Sequence, residues 1–344
     1  MNSLSNALQK DLDLISQKLI QGYNNDDIII QNLDWIISLA DDQKIKLKIP
    51  KNIKKYLKDF VDDEECASKE YIENYKRYKK FNVALTNIGK KINIEYDYKV
   101  VDSNFIKKVS IEDIIKIVGN FFKYYDQDIY DYYVNFITNG NFFIVKSVFE
   151  GFGYSTVSDE LLEPYLIMQN NKNLRSIAVL AHEIIHAYIS EKEKYMSSDE
   201  EKLKYINGVN EVYSHFIEFL VLDYLESINF SKEDIISYKK DYYSSLIEYL
   251  AALYIMLEPD DIDFTSYDEV TFYNDTKLYS YGQLFPYHFY DQYLEDQTKA
   301  KENITNFMLD AKKYDFRHLI NNYGLKEDNL KDYKVLLRHI ENIY

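Results

Sequence analysis

The feature that most constrains this chain is a short run of metal-ligand side chains within residues 174–190, LRSIAVLAHEIIHAYIS. His182 and His186 are four positions apart, so on an α-helix of 3.6 residues per turn they lie one above the other. Two imidazoles placed in this way can bind one metal ion. Glu183 lies about 100° around the helix from His182, where it can reach a water on that metal. Apolar neighbours indicate a buried helix. The pattern predicts a zinc site in which Glu183 acts on the water.

A third metal ligand is expected on the next predicted helix, at about residues 204–227. Glu211 follows His182 by 29 positions, which lets the first helix end, turn and return antiparallel. His215 and Glu218 follow Glu211 at spacings of four and three, so they share its face. Three protein ligands with one open position are typical of a catalytic zinc site, and two histidines with one glutamate are a known set. Glu211 is therefore the predicted third ligand. His215 is the alternative third ligand. If it is not a ligand, it is expected to support one of the ligands.

A tyrosine-rich segment near the C-terminus, YSYGQLFPYHFYDQY, is a candidate for the rest of the catalytic machinery. A tyrosine hydroxyl is a suitable donor to the oxyanion that forms when water attacks a peptide carbonyl. Because the chain contains 35 tyrosines, packing or partner contact is the competing interpretation. The expected catalytic donors are Tyr281, Tyr287, His288, Tyr290 and Tyr293.

The charge balance limits the classes of partner. The chain has 57 acidic and 41 basic residues, with a formal charge of −16, and no basic stripe. Nucleic-acid binding depends on neutralised phosphates and is not expected. No apolar run approaches the 18 or more residues of a membrane span, and no signal peptide is recognisable at the N-terminus. With the single cysteine Cys66, no disulfide framework is expected. We expect a cytoplasmic protein whose binding partners are peptides.

The fold class expected from the pattern is mainly α, with a small β-sheet beside the metal helix. Residues 1–139 form a predicted helical region, which includes a long helix at 65–91, and residues 140–344 form the catalytic region. Short apolar runs at 142–149 and 164–169 predict strands. The edge of such a sheet can hold a peptide through main-chain hydrogen bonds.

At these positions the sequence resembles the thimet oligopeptidase and oligoendopeptidase F family of zinc metallopeptidases. The segment LAHE at 180–183, with His186, resembles the metal helix of the family. Glu211, Ser214 and Glu218 resemble its E-x-x-S-x-x-x-E helix, which supplies the third ligand. The resemblance implies a helical zinc-peptidase fold.

The same resemblance covers about residues 140–300 and implies where a substrate is bound. Gly153 and Tyr154, followed by PYLI at 164–167, resemble the family's substrate-binding strand region. Gly153 and Tyr154 are therefore expected to contact substrate. The tyrosine-rich segment lies where the family has the tyrosines that bind substrate and stabilise the oxyanion.

The function expected from the sequence is a zinc-dependent endopeptidase, an oligopeptidase that cleaves short unfolded peptides. One alternative is a zinc carboxypeptidase, in which Arg175 or a lysine would hold the terminal carboxylate. Another is a non-catalytic helical binding protein with a structural zinc site, which should be closed by a fourth ligand. His215 is the candidate for that fourth ligand.

Overall fold

The computed structural model describes residues 3–59, 105–146, 153–155, 161–194, 209–255, 279–280, 282–311 and 322–324, together with Asn87 and Leu319. Within these ranges the chain is mainly α-helical with one small sheet, which confirms the predicted fold class. Apart from Asn87, the helix predicted at 65–91 lies outside them. The helices are α1 (Leu4–Ile20), α2 (Asp26–Asp42), α3 (Lys51–Asp59), α4 (Ile111–Tyr125), α5 (Gln127–Asn139), α6 (Leu174–Lys194), α7 (Val209–Ser227), α8 (Lys232–Ile255), α9 (Pro286–Glu295) and α10 (Gln297–Asp310). The strands are β1 (Asn141–Val145), β2 (Gly153–Ser155) and β3 (Tyr165–Gln169).

Helices α1 to α3 share a hydrophobic core with strand β3. Ser3 begins α1 by accepting a hydrogen bond from the backbone N–H of Asn6, and Gly22 follows the helix with a positive φ of 88° that suits glycine. Tyr165 of β3 belongs to this core and links it to the sheet. Its ring lies 4.7 Å from that of Trp35 on α2, and its hydroxyl donates to Asp11 on α1.

Helices α4 and α5 pack closely because Gly119, a residue of α4 at their contact, has no side chain. A Cβ atom added at Gly119 would lie 3.0 Å from Cε1 of Tyr133. The Tyr133 hydroxyl donates to the backbone oxygen of Ile115, 2.6 Å away. Asp126 separates the two helices and begins α5 by accepting from two backbone N–H groups.

The sheet has three strands in the order β1-β3-β2 among the described residues. The central strand β3 pairs in parallel with β1 and antiparallel with β2. The backbone then passes through four residues, 170–173, into the first turn of α6. The sheet therefore leads directly into the helix that carries the predicted metal ligands.

The chain divides into two compact units. The first comprises Met1–Asp62, Ile111–Lys172 and Glu183–Met196, and its described part contains the three strands with helices α1 to α5. The second comprises Asp63–Ser110, Asn173–His182 and Ser197–Tyr344, and its described part contains α7 to α10. Helix α6 contributes residues to both. The predicted boundary between residues 139 and 140 stays a prediction. In the part of the chain that the structure describes, none of the helices is long and apolar enough to cross a membrane.

Candidate metal centre

Helix α6 holds the predicted ligands on a buried, apolar scaffold. Its residues Ile177, Ala181 and Ile185 are at most 1% exposed. His182 and His186 lie one helical turn apart and both keep some exposure to solvent, while Glu183 between them is buried at 7% exposure. The α6 backbone therefore fixes the spacing of the two imidazoles.

Glu211 in the first turn of α7 brings a carboxylate to this face. Its Oε2 atom lies 3.1 Å from Nε2 of His182. One ligand atom from each of His182, His186 and Glu211 lies within 4.8 Å of the others. Ligand atoms around a tetrahedral zinc ion are about 3.4 Å apart, given bond lengths near 2.1 Å. Side-chain movements of about an ångström would thus bring these three onto one ion. The donor set and its spacing fit zinc.

Glu218, two turns further along α7, lies behind His182. Its Oε1 atom accepts hydrogen bonds from Nδ1 of His182 at 2.5 Å and from Nδ1 of His215 at 3.0 Å. Its Oε2 atom accepts from the hydroxyl of Tyr238 at 2.7 Å. A carboxylate that holds the far nitrogen of a ligating histidine fixes the orientation of its ring and its tautomer. Glu218 thereby leaves Nε2 of His182 facing Glu211.

The charges in this cluster are mutually dependent. Burial acts to raise the pKa of the Glu218 carboxyl, but the imidazoles of His215 and His182 outweigh it and lower the pKa to about 2. Burial acts to lower the pKa of His182, but hydrogen bonds and charge from Glu211 and Glu218 hold it well above 6.5 in the metal-free chain. Glu218 is therefore an ionised acceptor near neutral pH.

His215 does not belong to the group formed by His182, His186 and Glu211. It forms a second group with His182 and Glu218, in which hydrogen bonds already join the three side chains. Its Nε2 atom is buried without a hydrogen-bond partner and lies 3.8 Å from Oε2 of Glu211. The first group is the partly exposed one, so it is the better candidate for a metal that must meet a substrate.

The predicted oxyanion donors occupy several different environments. Tyr281 lies outside the described residues. Tyr287 is buried in an aromatic layer, with ring centroids 4.7 Å from Phe219 and 6.0 Å from Tyr243. Tyr293 is buried edge-on against Phe216.

Tyr290 and His288 are held by hydrogen bonds within the helical packing. The Tyr290 hydroxyl donates to Asp223 on α7 at 2.6 Å. Nε2 of His288 lies 3.0 Å from the backbone oxygen of Tyr323. The assignment of Tyr287, His288, Tyr290 and Tyr293 as catalytic donors stays a prediction.

Two tyrosines of α8 that contact these side chains were not predicted from the sequence. Tyr238 donates to Glu218, and the ring of Tyr242 lies edge-on against His215 at 5.2 Å. Their spacing of four places them on one helix face, but that spacing carries little information in a chain with 35 tyrosines. The packing of α8 against α7 was needed to identify them.

Three further residues that were predicted to bind substrate lie within the described part of the chain. Gly153 and Tyr154 lie on β2, an edge strand of the described sheet, and they pair with Met168 and Ile167 of β3. Arg175, the candidate for the carboxypeptidase alternative, is paired with Asp241 on α8.

Comparisons with known proteins show what the fold resembles. No family model matches the chain, and the curated proteins yield no match. A crystal structure from Bacillus anthracis, described as an oligoendopeptidase F, aligns with 83% of this chain at a TM-score of 0.51 and 16% identity. A second structure described as an oligoendopeptidase F aligns with 80% of the chain at a TM-score of 0.52 and 14% identity. The aligned regions are 57% and 58% of those longer chains. At these identities the likeness shows a shared fold.

Proposed function

We propose that this chain is a zinc-dependent endopeptidase that hydrolyses short, unfolded peptides. The observation that carries the proposal is the convergence of His182, His186 and Glu211 beside Glu183. The predicted resemblance and the fold of the two structures described as oligoendopeptidases F support the same activity. Because the chain spans only 57% and 58% of those structures, the size range of its substrates is part of the proposal. A cytoplasmic location is also part of it.

His182, His186 and Glu211 would hold the zinc ion and leave a further coordination position open. Zinc bound in this way lowers the pKa of a coordinated water towards about 7 and polarises a carbonyl group. The distance of 3.1 Å between Nε2 of His182 and Oε2 of Glu211 supports their assignment to one ion. The hydrogen bond from Nδ1 of His182 to Glu218 supports Nε2 as the ligating atom.

Glu183 would take the proton of the attacking water and pass it to the leaving amine. It adjoins His182 on α6 and is not a member of the ligand group. One or more of the predicted tyrosines would donate to the oxyanion of the scissile carbonyl. Strand β2, with Gly153 and Tyr154, would align the peptide backbone by strand addition.

The contacts of Arg175 argue against a carboxypeptidase that uses this residue to hold the terminal carboxylate. A carboxypeptidase needs a cation that is available to the terminal carboxylate, whereas the guanidinium of Arg175 already pairs with Asp241 and lies 5.4 Å from the ring of Phe105. A peptide blocked at its C-terminus separates the two activities. We expect internal cleavage of the blocked peptide, and release of only C-terminal residues from the free peptide would contradict the endopeptidase.

The decisive experiment combines metal analysis with digestion of a peptide library of mixed lengths, with and without a chelator. We expect about one zinc ion per chain and cleavage that stops when the metal is removed. Glu183→Gln should fold and retain zinc but lose hydrolysis by roughly 10²- to 10⁴-fold, the range expected for a general acid or base. Glu112→Gln, the same change at an exposed position on α4, is the control. Undiminished hydrolysis by Glu183→Gln would refute the proposed mechanism.

A further inference from the structure

The carboxylate of Glu218 is shared by three donors that come from three helices. His182 on α6 and His215 on α7 both reach Oε1, while Tyr238 on α8 reaches Oε2. Glu218 is 5% exposed and Tyr238 is 8% exposed, so water does not readily replace these partners. An ionised carboxylate accepts hydrogen bonds and donates none. Both imidazoles must therefore carry a proton on Nδ1.

The contact between His215 and Glu218 is local to one helix, because the two residues are three positions apart on α7. A carboxylate held by one donor at each oxygen can still tilt about its terminal torsion, which is a soft one. The second donor at Oε1 restricts that tilt. His215 therefore directs Oε1 towards Nδ1 of His182 before any metal is bound.

The ring of His215 is itself held in place. It lies edge-on against His182 at 4.9 Å and against Tyr242 at 5.2 Å, and its side chain is 9% exposed. Its Nε2 atom is buried without a hydrogen-bond partner. The distance of 3.8 Å from this nitrogen to Oε2 of Glu211 is too long for a hydrogen bond. The Nδ1 contact is thus the one through which His215 acts.

We infer that His215 is a positioning residue of the metal centre. Through Nδ1 it orients the Glu218 carboxylate, and Glu218 in turn holds His182 with Nε2 towards the metal. This inference rests on the proposed ligand set of His182, His186 and Glu211. It assigns to His215 a role that is neither the third ligand nor the closing fourth ligand of a structural site.

The test is a set of three substitutions in the full chain, with zinc affinity as the readout. His215→Asn keeps an amide N–H donor near the position of Nδ1, and His215→Gln moves the amide outwards towards the position of Nε2. His215→Leu removes both. Zinc affinity is measured by competition with a chromogenic chelator, and the visible absorption of the Co²⁺-substituted protein reports ligand geometry. Circular dichroism of each metal-free variant reports folding.

We expect His215→Asn to bind zinc close to the wild-type level and to keep the wild-type cobalt spectrum. His215→Leu and His215→Gln should bind zinc roughly 10- to 100-fold more weakly, as is usual when a partner of a metal ligand is removed. They should also shift the cobalt spectrum. If His215→Leu fails to fold, the comparison of the Asn and Gln variants still decides the matter.

Three results would overturn the inference and leave the proposed function intact. Unchanged zinc affinity in His215→Leu would show that His182 needs no help from this residue. Equal weakening in the Asn and Leu variants would exclude the Nδ1 route, and rescue by Gln but not by Asn would assign the role to Nε2. Failure of the wild-type chain to bind zinc at all would instead refute the proposed function, and the inference with it.

Discussion

Glu211 and Glu218 lie on the same face of α7, but their surroundings suit them to different roles. The Glu211 side chain is 13% exposed and faces Nε2 of His182, whereas that of Glu218 is 6% exposed and accepts from Nδ1 of the same ring. A metal ligand needs a free lone pair towards the ion, and a supporting carboxylate needs donors around it. The two carboxylates thus contact the two different ring nitrogens of His182.

The raised pKa of His182 predicts how the stability of the metal-free chain depends on pH. Glu211 and Glu218 stabilise its charged imidazole in the folded state. This contribution to the free energy of unfolding is fully present below the unfolded pKa near 6.5. It is lost as the pH rises through the raised folded pKa, at up to about 1.4 kcal/mol per unit by which the pKa is raised. Urea unfolding at increasing alkaline pH measures this loss.

The zinc-loaded chain should not show that loss, because a metal on Nε2 replaces the proton. His182→Asn should likewise flatten the profile of the metal-free protein. A metal-free profile that stays level from pH 6.5 upwards would contradict the prediction.

Tyr290→Phe tests whether this tyrosine serves catalysis or stability. Its hydroxyl donates to Asp223 at 2.6 Å, and loss of a hydrogen bond to a charged acceptor costs about 1.5–3 kcal/mol. We therefore expect a lower free energy of unfolding with kcat nearly unchanged. Calorimetry and peptide kinetics on the same preparation separate the two effects. A large fall in kcat without a loss of stability would instead identify Tyr290 as the oxyanion donor.

At the scale of helices, the grouping of His182, His186 and Glu211 could be anticipated from the sequence. The four-residue spacing is fixed by the geometry of one helix, and 29 positions suffice for an antiparallel return. The sequence also indicated that His215 and Glu218 share a face with Glu211. It did not show which atoms of these side chains meet, because that depends on how closely α7 packs on its neighbours.

The contributions of α8 could not be anticipated in the same way. Tyr238 reaches Glu218 only because α8 packs on α7, and no local spacing rule connects positions 218 and 238. Asp234, in the first turn of α8, similarly binds a segment more than 120 positions away, with hydrogen bonds to the backbone N–H groups of Ile106 and Lys107. Contacts of this kind are determined by the tertiary fold.

Asp234 provides a prediction for α8. It is fully buried, and its two carboxylate oxygens accept from two backbone N–H groups at 2.8 and 2.9 Å. Asp234→Ala leaves both donors without this partner, so we expect a loss of about 2–5 kcal/mol in the free energy of unfolding. Asp234→Asn keeps one acceptor oxygen and should lose less. Denaturant titration gives both values, and equal stability of Asp234→Ala and the wild type would refute the assigned contact.

At the scale of the whole molecule, zinc should stabilise the folded chain by mass action. A ligand at a free concentration 100 times its dissociation constant adds about 2.7 kcal/mol when it binds the folded state alone. We expect the midpoint of thermal unfolding to rise with zinc and to fall when a chelator is added. His186→Ala should abolish this dependence because it removes one of the three proposed ligands. A wild-type midpoint that does not respond to zinc would contradict the ligand set.

The contact between Trp35 and Tyr165 gives the protein an intrinsic fluorescent probe. It is the single tryptophan of the chain, and its ring is 4.7 Å from the ring of a β3 residue whose hydroxyl is bound to Asp11. Its fluorescence emission therefore reports on one interface, where the first helices meet the sheet. Loss of that interface should redden the emission maximum. With no added dye, an optical titration can follow this interface while cobalt absorption follows the proposed metal centre.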